Sequence, residues 1–141
     1  MGKTYQSIVI DKPADEVWAT VRDFHDLSWA PGVVEAVETV GDKVGDQVGA
    51  KRVLNGVFHE TLVGLSDIQR TFRYTIDDGP SPASKDEVSD YVGCVQVRSI
   101  TEGGGSFVEW SSSWEAKDDA AVEFCHTIYV ALLGQLKQAL S

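Results

Sequence analysis

Long apolar runs are missing from this sequence, and none approaches the ~20 residues that a helix needs to cross a bilayer. The first residues, 1–7, also lack the apolar core of a secretory signal peptide. We therefore expect a cytoplasmic protein that does not insert into membranes.

Cysteine is also rare, with only Cys94 and Cys125 in the chain. They lie far apart within apolar patterns, and neither has partner residues at the spacing of metal ligands. We expect two buried free thiols, because free cysteine is among the residues most often buried. The sequence predicts no disulfide, no metal site and no cofactor.

Basic residues are few, since 12 Lys and Arg stand against 22 Asp and Glu and give a net charge of −10. Such a surface repels phosphate backbones and anionic lipid, so neither nucleic acid nor a membrane is an expected partner. The 141 residues, 43% of them hydrophobic, suit one domain over residues 1–141 that buries about 70% of its unfolded surface. A monomer and a homodimer both remain open.

Recognisable catalytic motifs are absent as well. There is no Ser/His/Asp order and no His-Glu-x-x-His. Glycines 103–105 predict a turn, because no helix follows them to bind phosphate. We expect His25 to lie in solvent, His59 on the outer face of a strand, and His126 at the margin of a helix.

The strongest pattern present is an amphipathic helix over residues 118–141. Asp118 suits its N-cap, and Lys137 in the last turn suits the helix dipole. Gly134 falls on the polar side. The apolar arc consists of Ala121, Val122, Cys125, Ile128, Tyr129, Leu132, Leu133, Leu136 and Leu140. Because no chain follows, earlier elements must cover this arc.

Before the closing helix the chain predicts a strand, two short helices and a long antiparallel meander. The strand runs to Ile10, Pro13 opens the first helix, and residues 26–32 form a second short helical turn. From Val33 the hydrophobic period becomes two, and Asn55-Gly56 is a hairpin signal. The strands are predicted at 33–40, 47–54, 57–65, 70–76, 87–100 and 107–116. The fold class is therefore α+β.

This order of elements is accompanied by characteristic residues at 8–10, 13–18, 21–24, 29–31, 48–52, 60–62, Arg70, Tyr74, Ile76, 108–110, Trp114 and 134–137. Together they resemble the helix-grip fold of the START, polyketide cyclase and birch-pollen-allergen-like (SRPBCC) superfamily, most closely its bacterial polyketide cyclase/dehydrase-like members. The resemblance implies a curved antiparallel sheet of about seven strands wrapped around a long C-terminal helix, with two short helices after the first strand. It also implies a cavity between sheet and helix for a small lipid, aromatic or polyketide.

A likeness to plant abscisic-acid receptors is weaker. The turn at 54–58 is shorter than the receptors' gate loop and lacks its proline, and 81–83 does not match their latch. A hormone-receptor function is therefore not expected.

Strand alternation selects residues that face the cavity. If Glu60 matches the cavity glutamate of the family, then Phe58, Leu62 and Gly64 share its inward face. Arg52 faces the same way on the preceding strand. A lone buried charge costs several kcal/mol, so we expect Arg52 and Glu60 to pair as the polar floor of the pocket. The alternative is an ordinary pair on the solvent side.

Further candidates are aromatic or lie on the closing helix. Trp29 is expected at the entrance, and the phenols of Tyr74 and Tyr91 could orient a ligand hydroxyl or carbonyl. These aromatics could equally be core filling. The remaining candidates are Trp110, Ser112 and Trp114 on one strand face, and Cys125, Ile128, Tyr129 and Leu132 on the helix.

Three functions fit these observations, in this order of preference. The first is binding of a small hydrophobic ligand in the cavity. The second is a polyketide cyclase or dehydratase reaction with Arg52 as electrostatic stabiliser, Glu60 as general acid or base and Tyr74 as proton donor. The third is a protein-interaction module that uses the outer face of the sheet.

Overall fold

The computed structural model describes residues 1–141 and contains seven strands and two helices. In chain order they are β1 (Gly2–Ile10), α1 (Ala14–Val21), β2 (Val37–Val40), β3 (Lys51–Leu54), β4 (Phe58–Ser66), β5 (Thr71–Asp78), β6 (Val88–Ser99), β7 (Ser106–Ala116) and α2 (Ala120–Ala139). This confirms the predicted α+β helix-grip class. No helix is both long enough and apolar enough to span a bilayer.

The strands form one antiparallel sheet in the order β1-β7-β6-β5-β4-β3-β2. The predicted meander accounts for β2 to β7, and β1 returns to pair with β7 from Gly2↔Trp114 to Ile10↔Ser106. One face of the sheet carries the core. The buried residues of α2 pack against it, and they are Ala121, Cys125, Tyr129, Leu132, Leu133 and Leu136.

The closing helix begins two residues later than predicted. Its regular part starts at Ala120, and Asp119 rather than Asp118 occupies the N-cap position. The Asp118 carboxylate still accepts the Ala120 N–H at 3.0 Å, so it satisfies one of the free donors of the first turn. Gly134 is exposed, as its position on the polar side of the predicted helix indicates.

The predicted second short helix does not form. Residues 26–32 make successive turns, with the Ala30 N–H bonded to the Leu27 carbonyl at 3.0 Å. The Asp26 carboxylate binds the Ser28 N–H and hydroxyl, which favours a turn over a helix. Pro31 then lacks the N–H that a helix would need. Only α1 follows β1 as a helix.

The two strands beside the cavity opening are shorter than predicted. β2 starts at Val37 instead of Val33, because the Val33 and Val34 N–H groups bond back to Ala30. The Asn55 side chain then accepts the N–H groups of residues 35 and 36. β3 starts at Lys51 instead of Gln47, after a turn over 47–50.

A bulge in β4 places Gly64 on a different face of the sheet from the one predicted. Leu62 pairs with Tyr74, but the next paired residue is Gly64, opposite Arg73. Val63 is the extra residue, so the alternation shifts by one and Leu65 rather than Gly64 packs on the core. Gly64 does not line the cavity.

Candidate ligand cavity

A cavity of about 50 Å³ lies between α2 and the inner face of the sheet. Thirteen of its 16 lining residues are hydrophobic. The lining consists of Leu27, Val33, Val34, Arg52, Leu54, Asn55, Phe58, Glu60, Tyr74, Ile76, Tyr91, Trp110, Cys125, Ile128, Tyr129 and Leu132.

The cavity has a deep end and an end that reaches the surface. The lining residues that are not fully buried are Val33, Asn55, Phe58, Ile76 and Ile128. They mark the opening, and Phe58 stacks there on Phe124 of α2 with 6.4 Å between ring centroids. At 10–15 Å³ for each water, the volume holds about four water molecules, which is small beside the ~300 Å³ of an ordinary ligand pocket.

Arg52 and Glu60 form a buried ion pair at the deep end. They are direct cross-strand partners, and their side chains are only 4% and 6% exposed. Arg52 Nε donates to Glu60 Oε1 at 2.7 Å, and Nη2 lies 2.6 Å from the same oxygen. Nη1 donates to the Phe24 carbonyl at 2.8 Å, and the guanidinium carbon lies 3.7 Å above the Phe24 ring. The pairing predicted from the sequence is thus formed, and the solvent-side alternative is wrong.

Glu60 keeps one carboxylate oxygen free. Both close guanidinium contacts go to Oε1, and no hydrogen bond reaches Oε2. Burial raises the pKa of Glu60, while the positive charge of Arg52 opposes that rise. The group is therefore a hydrogen-bond acceptor that is easier to protonate than an exposed carboxylate.

Three tyrosine hydroxyls meet over β6, where the Tyr74 hydroxyl lies against Gly93. The Tyr129 hydroxyl lies 2.7 Å from that of Tyr74 and also bonds to that of Tyr91. Trp110 Nε1 donates to the Tyr74 hydroxyl at 2.9 Å. Burial is the main cause that raises the pKa of each phenol, well above its ordinary value for Tyr74 and Tyr129. All three therefore stay protonated and act as neutral donors or acceptors.

Three predicted site residues lie outside the cavity lining. Trp29 is buried behind it, with its ring 6.5 Å from that of Trp110. The Ser112 hydroxyl bonds to Thr4, 2.7 Å away. Trp114 stacks on Tyr91 at 5.2 Å, and its indole N–H has no hydrogen-bond partner. These side chains support the lining rather than form it. The other predicted residues, Arg52, Phe58, Glu60, Tyr74, Tyr91, Trp110, Cys125, Ile128, Tyr129 and Leu132, all line the cavity.

The lining also includes residues that the sequence did not single out as site residues. Leu54 and Ile76 could have been found, because strand alternation places them beside Arg52 and Tyr74. Leu27, Val33 and Val34 lie in irregular turns, where no period predicts which way a side chain points.

The histidines and cysteines lie mostly where they were expected. His59 is exposed, and His126 bonds to Gln6 at 2.8 Å. His25 is half-buried and bonds to the Lys51 carbonyl at 2.9 Å, so it is less solvated than predicted. Both thiols are free, but only Cys125 is buried and Cys94 is half-buried. No cluster of three or more His, Cys, Asp or Glu side chains could hold a metal ion.

A seven-stranded antiparallel sheet closed by a long C-terminal helix over an apolar cavity defines the helix-grip class of α+β proteins. More particularly, the chain belongs to the polyketide cyclase/dehydrase and lipid transport family, whose model matches residues 1–141. This confirms the SRPBCC resemblance. A comparison with curated proteins gives no match.

Solved structures of bacterial proteins share the fold. A protein from Nitrosospira multiformis is 44% identical, with a TM-score of 0.97 over 99% of this chain and 96% of that one. The protein XoxI from Bacillus cereus is 27% identical, with a TM-score of 0.81 over 99% and 96% of the two chains. An uncharacterised protein from Bacillus thuringiensis is 26% identical, with a TM-score of 0.77 over 98% of each chain.

Proposed function

We propose that this protein binds a small, largely apolar molecule between α2 and the sheet, with the polar group of the ligand at the deep end. The observation that carries the proposal is the placement of the Arg52–Glu60 ion pair in a lining of which 13 of 16 residues are hydrophobic. A buried ion pair gives little stability compared with apolar residues of the same size. Its position at the wall of an open cavity fits a binding role.

The size of the cavity sets how such a ligand lies. A closed cavity too small for any ligand would have favoured a surface-interaction function, but this one reaches the surface at partly exposed residues. The polar head and a few carbon atoms fit inside. The remaining apolar part lies between Val33, Phe58, Ile76 and Ile128 at the opening. The cytoplasmic location, the single domain and the oligomeric state remain predictions.

Native mass spectrometry of protein purified from its own host tests the proposal. We expect a co-purified small molecule that is lost in Cys125→Leu, because the longer side chain fills part of the cavity. Cys94→Leu is the matched control, since Cys94 does not line this cavity and should retain the molecule. Retention by both variants would place the binding elsewhere and overturn the proposal.

A second candidate is an enzyme of the cyclase or dehydratase type, favoured by the free Oε2 of Glu60. A carboxylate with a raised pKa and an unoccupied oxygen suits proton transfer at a carbon next to a carbonyl. The protonated Tyr74 suits hydrogen bonding to the enolate oxygen that then develops. Arg52 stabilises the ionised form of Glu60.

Hydrogen–deuterium exchange at the acidic C–H of a small β-diketone tests the enzyme candidate. We expect exchange catalysed by the wild-type protein to disappear in Glu60→Gln while the diketone still binds. If the wild-type protein binds the diketone but does not catalyse exchange, only the binding function is supported.

A further inference from the structure

The charges at the deep end of the cavity already balance. Each guanidinium nitrogen of Arg52 is engaged, two at Glu60 Oε1 and one at the Phe24 carbonyl. The pair therefore offers an incoming anion no uncompensated positive charge. A ligand carboxylate would be buried close to the carboxylate of Glu60, at a cost that nothing in the lining offsets.

The tyrosine hydroxyls leave one proton unused. Tyr74, Tyr129 and Tyr91 carry three O–H protons, and the two contacts between their oxygens use two of them. The Tyr74 oxygen accepts its further hydrogen bond from Trp110, which uses no hydroxyl proton. Whichever way the chain of hydrogen bonds runs, one phenol therefore has an O–H left to donate.

Few protein acceptors compete for that proton. Near Tyr91 lie the Cys125 sulphur, which is a weak acceptor, and the Ser112 hydroxyl, whose oxygen can still accept beside its bond to Thr4. The hydroxyls of Tyr74 and Tyr129 have no other protein acceptor within hydrogen-bond distance. A ligand oxygen in the cavity can accept the unused proton when the proton belongs to Tyr74 or Tyr129, and it competes with Ser112 when the proton belongs to Tyr91.

A free acceptor lies in another part of the lining. Glu60 Oε2 accepts no hydrogen bond and belongs to β4, whereas the Tyr74 hydroxyl lies over Gly93 of β6. A hydroxyl group can satisfy either group, because its oxygen accepts from a phenol and its proton is donated to a carboxylate. A ketone satisfies only the phenol, and a carboxylate or an ammonium group adds a charge.

We infer, resting on the proposed function, that this cavity selects an uncharged hydroxylated molecule, namely an alcohol, phenol or enol, and discriminates against carboxylates. Arg52 serves to hold Glu60 ionised and oriented rather than to bind an acid. The ligand hydroxyl donates its proton to Glu60 Oε2, and its apolar chain extends towards Phe58 and Ile128.

A set of six-carbon probes tests this inference on the wild-type protein at pH 7. Binding of 2-hexanol, 2-hexanone, hexanoate and hexylammonium is measured by NMR chemical-shift titration of the residues lining the cavity. We expect 2-hexanol to bind about 10-fold more tightly than 2-hexanone, the effect of one hydrogen bond to a charged group. Both ions should bind at least ~100-fold more weakly than 2-hexanol, because their charge is buried without a partner.

The outcomes separate the inference from the function on which it rests. If hexanoate binds as tightly as 2-hexanol, or more tightly, the inference fails while the binding function stands. Equal affinities for 2-hexanol and 2-hexanone would overturn the role of the ligand hydroxyl as a donor to Glu60. If no probe shifts the cavity resonances, both the inference and the proposed binding function fail.

Glu60→Gln gives a second, opposite readout. The Arg52 charge then has no counter-ion, so we expect the affinity of hexanoate relative to 2-hexanol to rise at least ~10-fold. Glu109→Gln is the matched control, because Glu109 pairs with Arg98 at 2.6 Å on the outer face and should leave the ratio unchanged. An unchanged ratio in Glu60→Gln contradicts the inference. If that variant does not fold, the wild-type probe set decides alone.

Discussion

The hydroxyl of Tyr129 on α2 lies 2.7 Å from the hydroxyl of Tyr74 on β5, and it also bonds to Tyr91 on β6. One side chain of the closing helix thus joins two neighbouring strands of the sheet. All three tyrosines are buried, so these hydrogen bonds have no competition from bulk water. The cluster therefore fixes the helix over the cavity and supplies the polar groups within it.

Replacing Tyr129 by Phe tests the first of these roles. The variant leaves Tyr74 and Tyr91 without their shared partner, and we expect the free energy of unfolding to fall by about 1–3 kcal/mol. Urea denaturation measures the loss. Tyr5→Phe is the control, because the Tyr5 hydroxyl bonds to Glu109 at the surface and its removal should cost less. Equal losses in the two variants would show that the buried cluster adds nothing.

The buried ion pair predicts a strongly non-additive mutant cycle. Arg52→Met leaves Glu60 buried without its counter-ion and should cost about 3–5 kcal/mol. The double variant Arg52→Met, Glu60→Leu removes both charges, and we expect it to recover most of that loss. Chemical denaturation of the four proteins gives the coupling energy. Additive losses would mean that the pair is solvated instead of buried.

The contact between Arg52 and Glu60 could be predicted from the sequence only in part. Alternation gives the inward side of each residue, but a two-residue Asn55-Gly56 turn would place Arg52 opposite His59. Leu54 pairs with Phe58 instead, so Val57 is an extra residue and Arg52 lies opposite Glu60. The resemblance and the cost of a lone buried charge are what predict the pairing. Both turn residues have positive φ, as that hairpin signal requires. The amphipathic pattern likewise places Cys125, Tyr129 and Leu132 on the inner side of α2.

Other features depend on information that no local pattern contains. The helical periodicity shows that Tyr129 faces inward, but it does not show where along the sheet α2 lies. The contact between Tyr129 and Tyr74 therefore could not be predicted. The isolated Gly64 is compatible with a bulge in this strand, but the pattern does not say where the extra residue lies, and the bulge at Val63 reverses the expected facing of Gly64. The turns that bring Leu27 and Val34 to the cavity have no period at all.

The ion pairs at the surface predict how stability falls in acid. Asp67 accepts hydrogen bonds from Arg22 and Trp18, and these lower its pKa below the ordinary 3.8. A lowered pKa in the folded state stabilises the protein above pH 3.8, and that contribution disappears as the pH falls through the lowered value. We expect Asp67→Asn to be less stable than the wild-type protein at pH 7, with the difference shrinking towards zero below pH 3.8.

Denaturation curves at several pH values measure this difference. Raising the salt concentration at pH 7 should reduce it too, because the pair is exposed and screened. Asp42→Asn is the control, since Asp42 is exposed and has no ion-pair partner. A difference that stays constant down to pH 2 would show that the loss in Asp67→Asn does not come from its charge.

Substitution by alanine should have opposite effects on stability at two of the glycines. Gly93 lies directly opposite Tyr74 in the sheet, and a Cβ at this position would overlap the Tyr74 ring and hydroxyl. The missing side chain is what lets the ring lie across β6 and reach Tyr129. We expect Gly93→Ala to cost about 1–3 kcal/mol through overpacking and to shift the Tyr74 and Tyr129 resonances.

Gly134 on α2 has nothing within 4 Å of such a Cβ, so Gly134→Ala should add about 1 kcal/mol to the free energy of unfolding through helix propensity. Thermal or urea denaturation compares the two, and NMR follows the tyrosine rings. A Gly93→Ala variant as stable as the wild-type protein, with its tyrosine resonances unmoved, would mean that the ring does not need this glycine to reach the helix.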